Sequence, residues 1–278
     1  HQGITFNFSH FRLERILNSN TSTKLVSLLG HFTDLSEEKW AVVILEKKPF
    51  TEDDLTSKGL FSVKTTVIYP ATQKHIDKYS KQEVHIVQET QELYQEVTLK
   101  HIEREQFSLE WLYNILEHKK EKERIIFEDP CEETGFILLP DLKWDNKNPE
   151  TLYCLALVRK HGIKSLRDLN SNHLPLLRNI LTKGVAAIEE KYAVGRSQLR
   201  IYLHYQPSFY HLHVHFTYLK HDAPGIYCEK SHLLDTVISN IELMPDYYQR
   251  ATLSFVVREN DRLWDDFRGD SRKAIKHD

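Results

Sequence analysis

The stretch from His211 to Thr217 constrains this chain more than any other segment. Its residues, HLHVHFT, alternate imidazole and apolar side chains. Strict alternation is the pattern of a half-buried β-strand with all three histidines on one face. Residues 199–205 alternate in the same way, and the short segment between the two has the composition of a hairpin loop. Pairing His204 with His211 gives a hairpin with four histidines on one face and apolar residues on the other.

Three kinds of site fit such a histidine row. Side chains at alternate positions recur roughly every 6.6–6.8 Å along a strand, so neighbours could share a zinc ion, while the outer two lie far apart. No compact cluster elsewhere in the sequence completes a tetrahedral set, although a distant ligand leaves zinc open. A satisfied structural row is the second alternative. A nucleophilic central imidazole with two helpers, acting on a phosphate ester or anhydride, fits the row better.

The pattern His-φ-His-φ-His-φ-φ resembles the signature of the histidine triad superfamily of nucleotide hydrolases and transferases. Three segments indicate one family within this superfamily. Together they resemble the scavenger mRNA decapping enzymes, and they are residues 200–217, 111–116 (WLYNIL) and 141–144 (DLKW). The similarity runs from about residue 64 to residue 257 and is loose before residue 60.

The resemblance implies an m7GpppX diphosphatase activity at the last step of mRNA decay. Such an enzyme hydrolyses the triphosphate bridge of 7-methylguanosine cap dinucleotide or short capped RNA, and releases m7GMP. It also implies that His213 is the nucleophile and forms a nucleotidyl-histidine, that His211 and His215 orient and stabilise the phosphoryl oxygens, and that His204 is a fourth contributor. No metal or other cofactor is implied.

The resemblance further assigns a binding site for the methylated base. Trp111 would stack on the base, because tryptophan is the best platform for a positively charged ring. Glu121 would accept hydrogen bonds from the N1–H and N2–H groups of the base. Leu142 would pack against the other face of the base. Asp141 would contact base or ribose, and Lys143 would reach the ribose or the phosphate chain.

Four further residues are expected at the phosphates. Lys74 and Lys78 lie one turn apart on a predicted helix, so both could reach the triphosphate bridge, and Ser208 and Lys230 are placed there by the resemblance. Lys230 stands where the family commonly has arginine. It keeps the positive charge but cannot form the two parallel hydrogen bonds that a guanidinium gives to a phosphate. Phe209 stands where tyrosine is common and cannot donate to a phosphate.

Two other functions remain open at this point. One is a general dinucleoside polyphosphate hydrolase or nucleotidyl transferase of the same superfamily. The other is a regulatory module that binds the cap and catalyses little. Activity on cap dinucleotide and on diadenosine polyphosphate distinguishes these alternatives.

Composition limits the class of protein. The 278 residues carry a formal charge of −3, which argues against a DNA-binding or broad nucleic-acid-binding surface, since such surfaces show a basic surplus. Three widely spaced cysteines predict a reducing compartment. No apolar run approaches a membrane span. We therefore expect a cytoplasmic protein, and the sequence leaves a nuclear share open.

The element order predicts the α+β class, with an antiparallel histidine-triad-like sheet and flanking helices in a catalytic domain at 82–278. A smaller α+β domain at 1–81 has few strands for a core of its own, and the resemblance implies a homodimer that exchanges this segment. Helices are predicted at 11–17, 71–79, 90–97, from 108 through the charged run 117–124, and at 149–160, 173–192 and 231–243, with a helical tail. Strands are predicted at 39–46, 62–69, 83–87, 125–127, 136–139, 199–205, 211–217 and 252–257.

Overall fold

The computed structural model describes residues 6–35, 39–48, 63–105, 108–142, 144 and 146–274. The chain divides into two compact units, His1–Glu83 and Val84–Asp278. All the strand pairs within the described residues are antiparallel. This confirms the α+β class with antiparallel sheets.

The described residues of the N-terminal unit form a four-stranded sheet, an α-helix and a 3₁₀ turn at Phe8–His10. The sheet has the order β1-β2-β3-β4, and its strands are β1 (Phe11–Asn20), β2 (Leu25–Phe32), β3 (Ala41–Lys47) and β4 (Val63–Ile68). Helix α1 spans Gln73–Tyr79, and its Ile76 packs on the sheet against Leu17, Val42 and Ile44. The predicted helix at 71–79 and strand at 39–46 are confirmed, as is the second strand from residue 63 onward.

The predicted helix at 11–17 is wrong, because these residues form the start of β1. Two irregularities, between Leu13 and Arg15 and between Ile16 and Asn18, shift the register with β2. Each such bulge inserts an extra residue and breaks the period of two. The apolar side chains consequently recur at helix-like spacing in a segment that pairs as a strand.

The C-terminal unit is built on a six-stranded sheet with the order β11-β9-β10-β8-β7-β6. A separate two-stranded sheet pairs β12 with β5. The strands of this unit are β5 (Val84–Glu89), β6 (Phe127–Glu128), β7 (Phe136–Pro140), β8 (Tyr153–Val158), β9 (Leu199–His204), β10 (His213–Tyr218), β11 (Ser231–Leu233) and β12 (Leu253–Arg258).

The helices of this unit surround the sheet. They are α2 (Gln91–Leu93), followed by a π-helical turn (Tyr94–Thr98), α3 (Leu99–Glu105), α4 (Glu110–Leu116), α5 (Leu174–Tyr192), α6 (Leu234–Leu243), α7 (Tyr247–Arg250) and α8 (Arg262–Ala274). Short 3₁₀ turns occur at Lys122–Arg124, Pro149–Thr151, Leu166–Asp168, Ser171–His173 and Arg196–Gln198.

The two faces of the six-stranded sheet have different partners. One face packs on α5, where Gly184 lets the helix approach Phe216 of β10, since an added Cβ would lie 2.6 Å from that ring. On the other face, α4 buries Leu112 and Ile115 against Leu157 of β8. Leu157 is the direct partner of His213 on β10, and directly opposed residues share a face. The histidine row and α4 therefore lie on the same face of the sheet.

The predicted hairpin register is wrong by two residues. His215 pairs with Tyr202 and Phe216 pairs with Ile201, whereas the prediction opposed His204 to His211. Because side chains alternate with a period of two, an even shift keeps every residue on its predicted face. His211 lies in the connection before β10 begins, so this connection is longer than a tight hairpin loop.

The predicted helix at 149–160 is also wrong. Only Pro149–Thr151 is helical, as a single 3₁₀ turn, and the following residues form β8 between β10 and β7. This strand is buried almost completely on both faces. A central strand of this kind reads as a continuous apolar run without alternation, so its sequence does not distinguish it from a buried helix.

Two other helix ends differ from the predictions. Helix α4 ends at Leu116 rather than continuing to residue 124, and its N-cap is Leu109 without a side-chain cap from Ser108. The predicted cap Ser231 instead begins β11, which pairs with the end of β9 opposite His204. In both places tertiary packing overrides the local signal.

Candidate active site

His213 is the buried central histidine of the row. Its Nδ1–H donates to the carbonyl oxygen of His211 at 2.8 Å. Its Nε2 is buried and has no hydrogen-bond partner among the described residues. A neutral imidazole carries one N–H and one lone pair. The bond at Nδ1 therefore leaves the lone pair on Nε2, which is the arrangement that a nitrogen nucleophile requires.

The surroundings of His213 keep the ring neutral. Burial lowers its pKa to about 4, against a smaller opposing effect of the hydrogen bond to His211. Desolvation disfavours the charged form of an imidazole, so the free base persists well below neutral pH. His213 is therefore available as a free base across the physiological range.

His211 faces away from the other rings of the row. Its Nε2–H donates to the carbonyl oxygen of Val158 at 2.8 Å, and its ring meets those of Tyr113 and His161 edge-on at 6.0 and 6.1 Å. Burial lowers the pKa of His211. Its clearest contribution is through the backbone, since its carbonyl fixes the tautomer of His213.

His215 is held by a group of aromatic rings. The hydroxyl of Tyr153 lies 3.1 Å from its Nδ1, and the ring of Tyr202 stacks on it at 5.0 Å with an interplanar angle of 9°. The imidazole of His204 lies 4.1 Å away and that of His213 4.9 Å away. The ring of His215 thus contacts the rings of two other predicted histidines, His204 and His213.

His204 is fixed by a glycine turn. Its Nε2–H donates to the carbonyl oxygen of Gly225 at 3.0 Å. Gly225 has a φ of +83°, and a Cβ at this position would lie 2.8 Å from His204 Nε2. Only glycine fits both the left-handed backbone and the close approach. The turn therefore sets the position of the fourth histidine.

A cavity of about 580 Å³ opens beside these rings. It brings together five of the predicted residues, since Asp141, His204, Ser208, His215 and Lys230 all line it. The rest of its lining is Val84, Tyr153, Leu155, Phe209, Pro224, Gly225, Tyr227, Glu229, Val256, Arg258 and Asp261. A cavity of this size with convergent charged and polar groups is typical of a small-ligand site.

An aromatic series links α4 to the central histidine. Trp111 is 43% exposed, and its ring meets that of Phe209 edge-on at 5.0 Å. Phe209 in turn stacks on His213 at 3.9 Å with an interplanar angle of 16°. The platform predicted for the base is thus one ring away from the predicted nucleophile. Phe209 has no polar atom for a phosphate, and it covers one face of the imidazole.

Glu121 stands in a turn of unusual backbone. Its φ is +57°, which is uncommon for a residue other than glycine. Its carboxylate pairs with Arg124, whose second nitrogen donates to the carbonyl oxygen of Pro140 at 2.8 Å. Pro140 immediately precedes Asp141 and Leu142, so Arg124 connects Glu121 to the other predicted base-binding residues. Leu142 is 82% exposed.

The three other predicted residues are lysines expected at the ribose and the phosphates. Lys143 lies outside the described residues. Lys74 and Lys78 are exposed on α1 of the N-terminal unit, where the Lys78 ammonium lies 5.3 Å from the ring centre of Tyr79. Their predicted contact with the triphosphate stays a prediction.

Within the described ranges, no group of three His, Cys, Asp or Glu side chains is arranged to hold a metal ion. No helix in these ranges is long and apolar enough to cross a membrane.

Three features of the site were not predicted from the sequence. The sequence does not identify Tyr153, because its strand is predicted as a helix. It does not identify Arg124, because its turn is predicted as an exposed helix end. The third feature is a buried ion pair of Glu89 and Arg167. Glu89 also accepts hydrogen bonds from Tyr205 and Gln206, at the start of the loop that carries Phe209. Charged residues of this kind are almost never fully buried unless paired, but the sequence does not identify the partners.

The fold and the histidine row define an α+β enzyme of the hydrolase class, and comparison with known proteins gives the family. Residues 110–230 match the family model "Scavenger mRNA decapping enzyme C-term binding". Residues 7–62 and 56–82 match the model of the "Scavenger mRNA decapping enzyme (DcpS) N-terminal" domain.

Curated relatives agree with the family models. The m7GpppX diphosphatase of Bos taurus is 46% identical over 92% of this chain and 84% of its own length. Those of Homo sapiens and Schizosaccharomyces pombe are 43% and 34% identical, over 92% and 91% of this chain and 84% and 93% of their own lengths. The chain belongs to the scavenger mRNA decapping enzyme family, and the predicted resemblance is confirmed.

Proposed function

We propose that this enzyme hydrolyses the triphosphate bridge of the 7-methylguanosine cap dinucleotide and of short capped RNA fragments, and releases m7GMP. The observation that carries the proposal is the state of His213. This ring is buried and neutral, its Nδ1 proton is bound to the carbonyl of His211, and its Nε2 lone pair has no partner in the described part of the chain. Family membership supplies the substrate class, because the curated relatives are m7GpppX diphosphatases.

In the first step, Nε2 of His213 attacks the phosphorus attached to 7-methylguanosine. A nitrogen–phosphorus bond forms, and the bond from that phosphorus to the oxygen bridging to the next phosphate breaks. The leaving group is a nucleoside diphosphate or a diphosphate-ended oligonucleotide. Positive charge develops on the ring, and the His211 carbonyl, which already accepts from Nδ1–H, stabilises it without rearrangement.

In the second step, water attacks the same phosphorus and displaces Nε2. The nitrogen–phosphorus bond breaks, m7GMP leaves, and His213 returns to its neutral form. His215 and His204 line the cavity beside the attacked phosphate, where the Nε2–H of His215 binds an equatorial oxygen and His204 packs against the His215 ring. Lys230 lines the same cavity and supplies positive charge, although it lacks the two-pronged geometry of arginine.

Base recognition accounts for selectivity toward the methylated nucleotide. The 7-methylguanine ring carries positive charge, and the exposed face of Trp111 is a platform for it, worth roughly 0.5–2 kcal/mol. Glu121 accepts from the N–H edge of the base, and the exposed side chain of Leu142 closes over the opposite face. Trp111 contacts Phe209, which lines the cavity. Arg124 links Glu121 to the carbonyl of Pro140, which precedes the cavity residue Asp141.

Turnover of three substrates tests the proposal. Purified protein is incubated with m7GpppG, unmethylated GpppG and diadenosine tetraphosphate, with and without chelator, and the products are separated by chromatography. We expect rapid m7GMP release from m7GpppG, slow reaction of the other two, no effect of chelator and no turnover by His213→Asn. Equal rates on diadenosine tetraphosphate would favour a general dinucleoside polyphosphate hydrolase. Tight cap binding without turnover would favour a regulatory module.

Preference for short RNA follows from charge and from the size of the cavity. The chain has a net charge of −3 and therefore no basic surplus to hold a long phosphate backbone. A ladder of capped RNAs of increasing length, assayed at saturating enzyme, measures this preference. We expect single-turnover rates to fall as the RNA lengthens. Equal rates from dinucleotide to full transcript would contradict it.

Assembly and location are part of the same proposal. The enzyme is a homodimer that exchanges N-terminal segments, a proposal supported by the exposed apolar side chains of Leu13 and Ile16 on the edge strand β1. Sedimentation equilibrium tests the dimer. The enzyme acts in the cytoplasm and has a nuclear share. The three cysteines, all free in the structure, suit such reducing compartments.

A further inference from the structure

Tyr153 and His215 form a buried pair on neighbouring strands. Tyr153 is 2% exposed and His215 is 4% exposed, and the tyrosine hydroxyl lies 3.1 Å from Nδ1 of the imidazole. Tyr153 on β8 is paired with Thr217 on β10, so its side chain lies on the same face of the sheet as His215, one pair along. We propose that Tyr153 is a positioning residue that fixes the tautomer and the orientation of His215 for the reaction proposed above.

In this pair we propose that the Tyr153 hydroxyl donates and that Nδ1 of His215 accepts. Burial raises the pKa of the Tyr153 phenol well above its usual range, so the hydroxyl keeps its proton and can donate it. When Nδ1 of a neutral imidazole accepts, the ring proton must be on Nε2. His215 is thereby held as the Nε2–H tautomer, which can donate a hydrogen bond to a phosphoryl oxygen.

The neighbouring ring has the opposite tautomer. His213 donates from Nδ1 to the His211 carbonyl and keeps its lone pair on Nε2. The ring centres of His213 and His215 lie 4.9 Å apart. A different neighbouring group holds each ring, His213 as a nucleophile and His215 as a hydrogen-bond donor. The His211 carbonyl sets the first, and the Tyr153 hydroxyl sets the second. Loss of that hydroxyl removes a hydrogen bond that favours one of the two tautomers of His215, and only that tautomer donates from Nε2.

The ring contacts of His215 act differently from this hydrogen bond. Tyr202 stacks on the ring, and the imidazoles of His204 and His213 meet it at an angle. Stacking restrains the plane of an imidazole but does not select which nitrogen carries the proton. Tyr153 also lines the catalytic cavity, so its hydroxyl is at the site and not merely behind it.

The variant Tyr153→Phe tests the proposal, since it removes the hydroxyl and keeps the packing of the ring. A matched control is Tyr248→Phe, because Tyr248 is equally buried and its hydroxyl accepts a 3.1 Å hydrogen bond from Asn240, away from the histidine row. We expect Tyr153→Phe to lower kcat for m7GpppG by about tenfold, a typical effect of losing such a supporting partner, with KM changed less than twofold. The control should keep the parent kcat.

A second measurement reports the tautomer without reference to activity. Long-range ¹H–¹⁵N spectra of protein labelled at histidine distinguish the protonated ring nitrogen of His215. We expect the Nε2–H form in the parent and in Tyr248→Phe, and a mixture of tautomers in Tyr153→Phe. An unchanged tautomer together with an unchanged kcat in Tyr153→Phe would overturn the proposal. So would an equal fall of kcat in both variants, since this would show a loss of packing alone. If the parent does not cleave the cap, the proposed function fails, and the spectra still decide the role of Tyr153.

Discussion

The ring of Phe209 lies face to face with the imidazole of His213, with 3.9 Å between ring centres and 16° between planes. Phe209 therefore shields one side of the predicted nucleophile from water, and it meets the predicted base platform Trp111 on its other side. Phe209 thus shields the imidazole of His213 although it lacks the hydroxyl of the tyrosine that is common at this position. It contributes to the low pKa of His213, which is caused mainly by burial.

Replacing Phe209 should change the pH profile of the enzyme. The variant Phe209→Ala admits water to His213, so the pKa of the imidazole should rise from about 4 toward its ordinary value of 6.5. The pH dependence of kcat/KM reports groups of the free enzyme, and its acid limb should move upward in this variant. Phe209→Leu keeps the shielding and serves as the control. An acid limb at the same pH in Phe209→Ala and the parent would show that Phe209 does not shield the ring.

Stability should fall with acid because His213 is buried as the neutral base. The unfolded chain takes up a proton on this residue as the pH falls below 6.5, whereas the folded chain does not until about pH 4. Stability is therefore complete above pH 6.5 and is lost as the pH falls toward 4. Between pH 7 and pH 5 this one residue should cost roughly 2 kcal/mol of unfolding free energy.

Urea unfolding at several pH values measures this loss. The variant His213→Asn lacks the titrating group, so its unfolding free energy should fall less steeply over the same range. His211 and His232 also have pKa values lowered by burial, and they remain in both proteins. Parallel slopes for the variant and the parent would mean that His213 is not held neutral by the fold.

Trp111→Ala should reduce the preference for methylated cap. The charged ring of 7-methylguanine gains more from a tryptophan face than the neutral ring of guanine does, by roughly 0.5–2 kcal/mol. The ratio of dissociation constants for m7GpppG and GpppG, measured by calorimetry in the His213→Asn background, should fall accordingly. Trp111→Phe should give an intermediate ratio. Undiminished discrimination in Trp111→Ala would remove this residue from the base site.

Arg124→Gln should weaken cap binding without slowing chemistry. Arg124 ties the Glu121 carboxylate to the carbonyl of Pro140, and the partly exposed pair is worth on the order of 1 kcal/mol. We expect a several-fold rise in KM at nearly unchanged kcat. Arg196→Gln is the control, because Arg196 forms an ion pair with Asp235 elsewhere on the surface. A fall in kcat at constant KM would show that Arg124 acts on the reaction and not on the base site.

The sequence specified the histidine face well because a period of two determines it. His204, His213 and His215 lie on their predicted side even though the register differs by two residues. Helix α5 was equally predictable, since a long amphipathic pattern has few alternatives. The strand containing Tyr153 was not predictable, because a central strand buried on both faces loses its alternation. With that strand assigned to a helix, the partner of His215 could not be found.

Tertiary partners account for the other differences. The bulges of β1 exist only because β2 pairs with it, and the left-handed turn at Glu121 is joined to β7 by Arg124 through Pro140. These contacts join residues distant in the chain, and a local pattern does not encode them. The histidines were nevertheless evident from the sequence, because their alternation sets them on one face of a strand, whereas Trp111 and Glu121 were assigned by the resemblance to the family.

The stereochemical course at phosphorus tests the role of His213 most directly. A single diastereomer of cap dinucleotide, with sulfur on the phosphorus next to 7-methylguanosine, is hydrolysed in ¹⁸O-enriched water, and the configuration of the released thiophosphate is determined. Attack by His213 followed by attack of water makes two in-line displacements at the same phosphorus, so our account predicts overall retention. Inversion would show a single direct attack by water and would contradict a nucleotidyl-His213 intermediate.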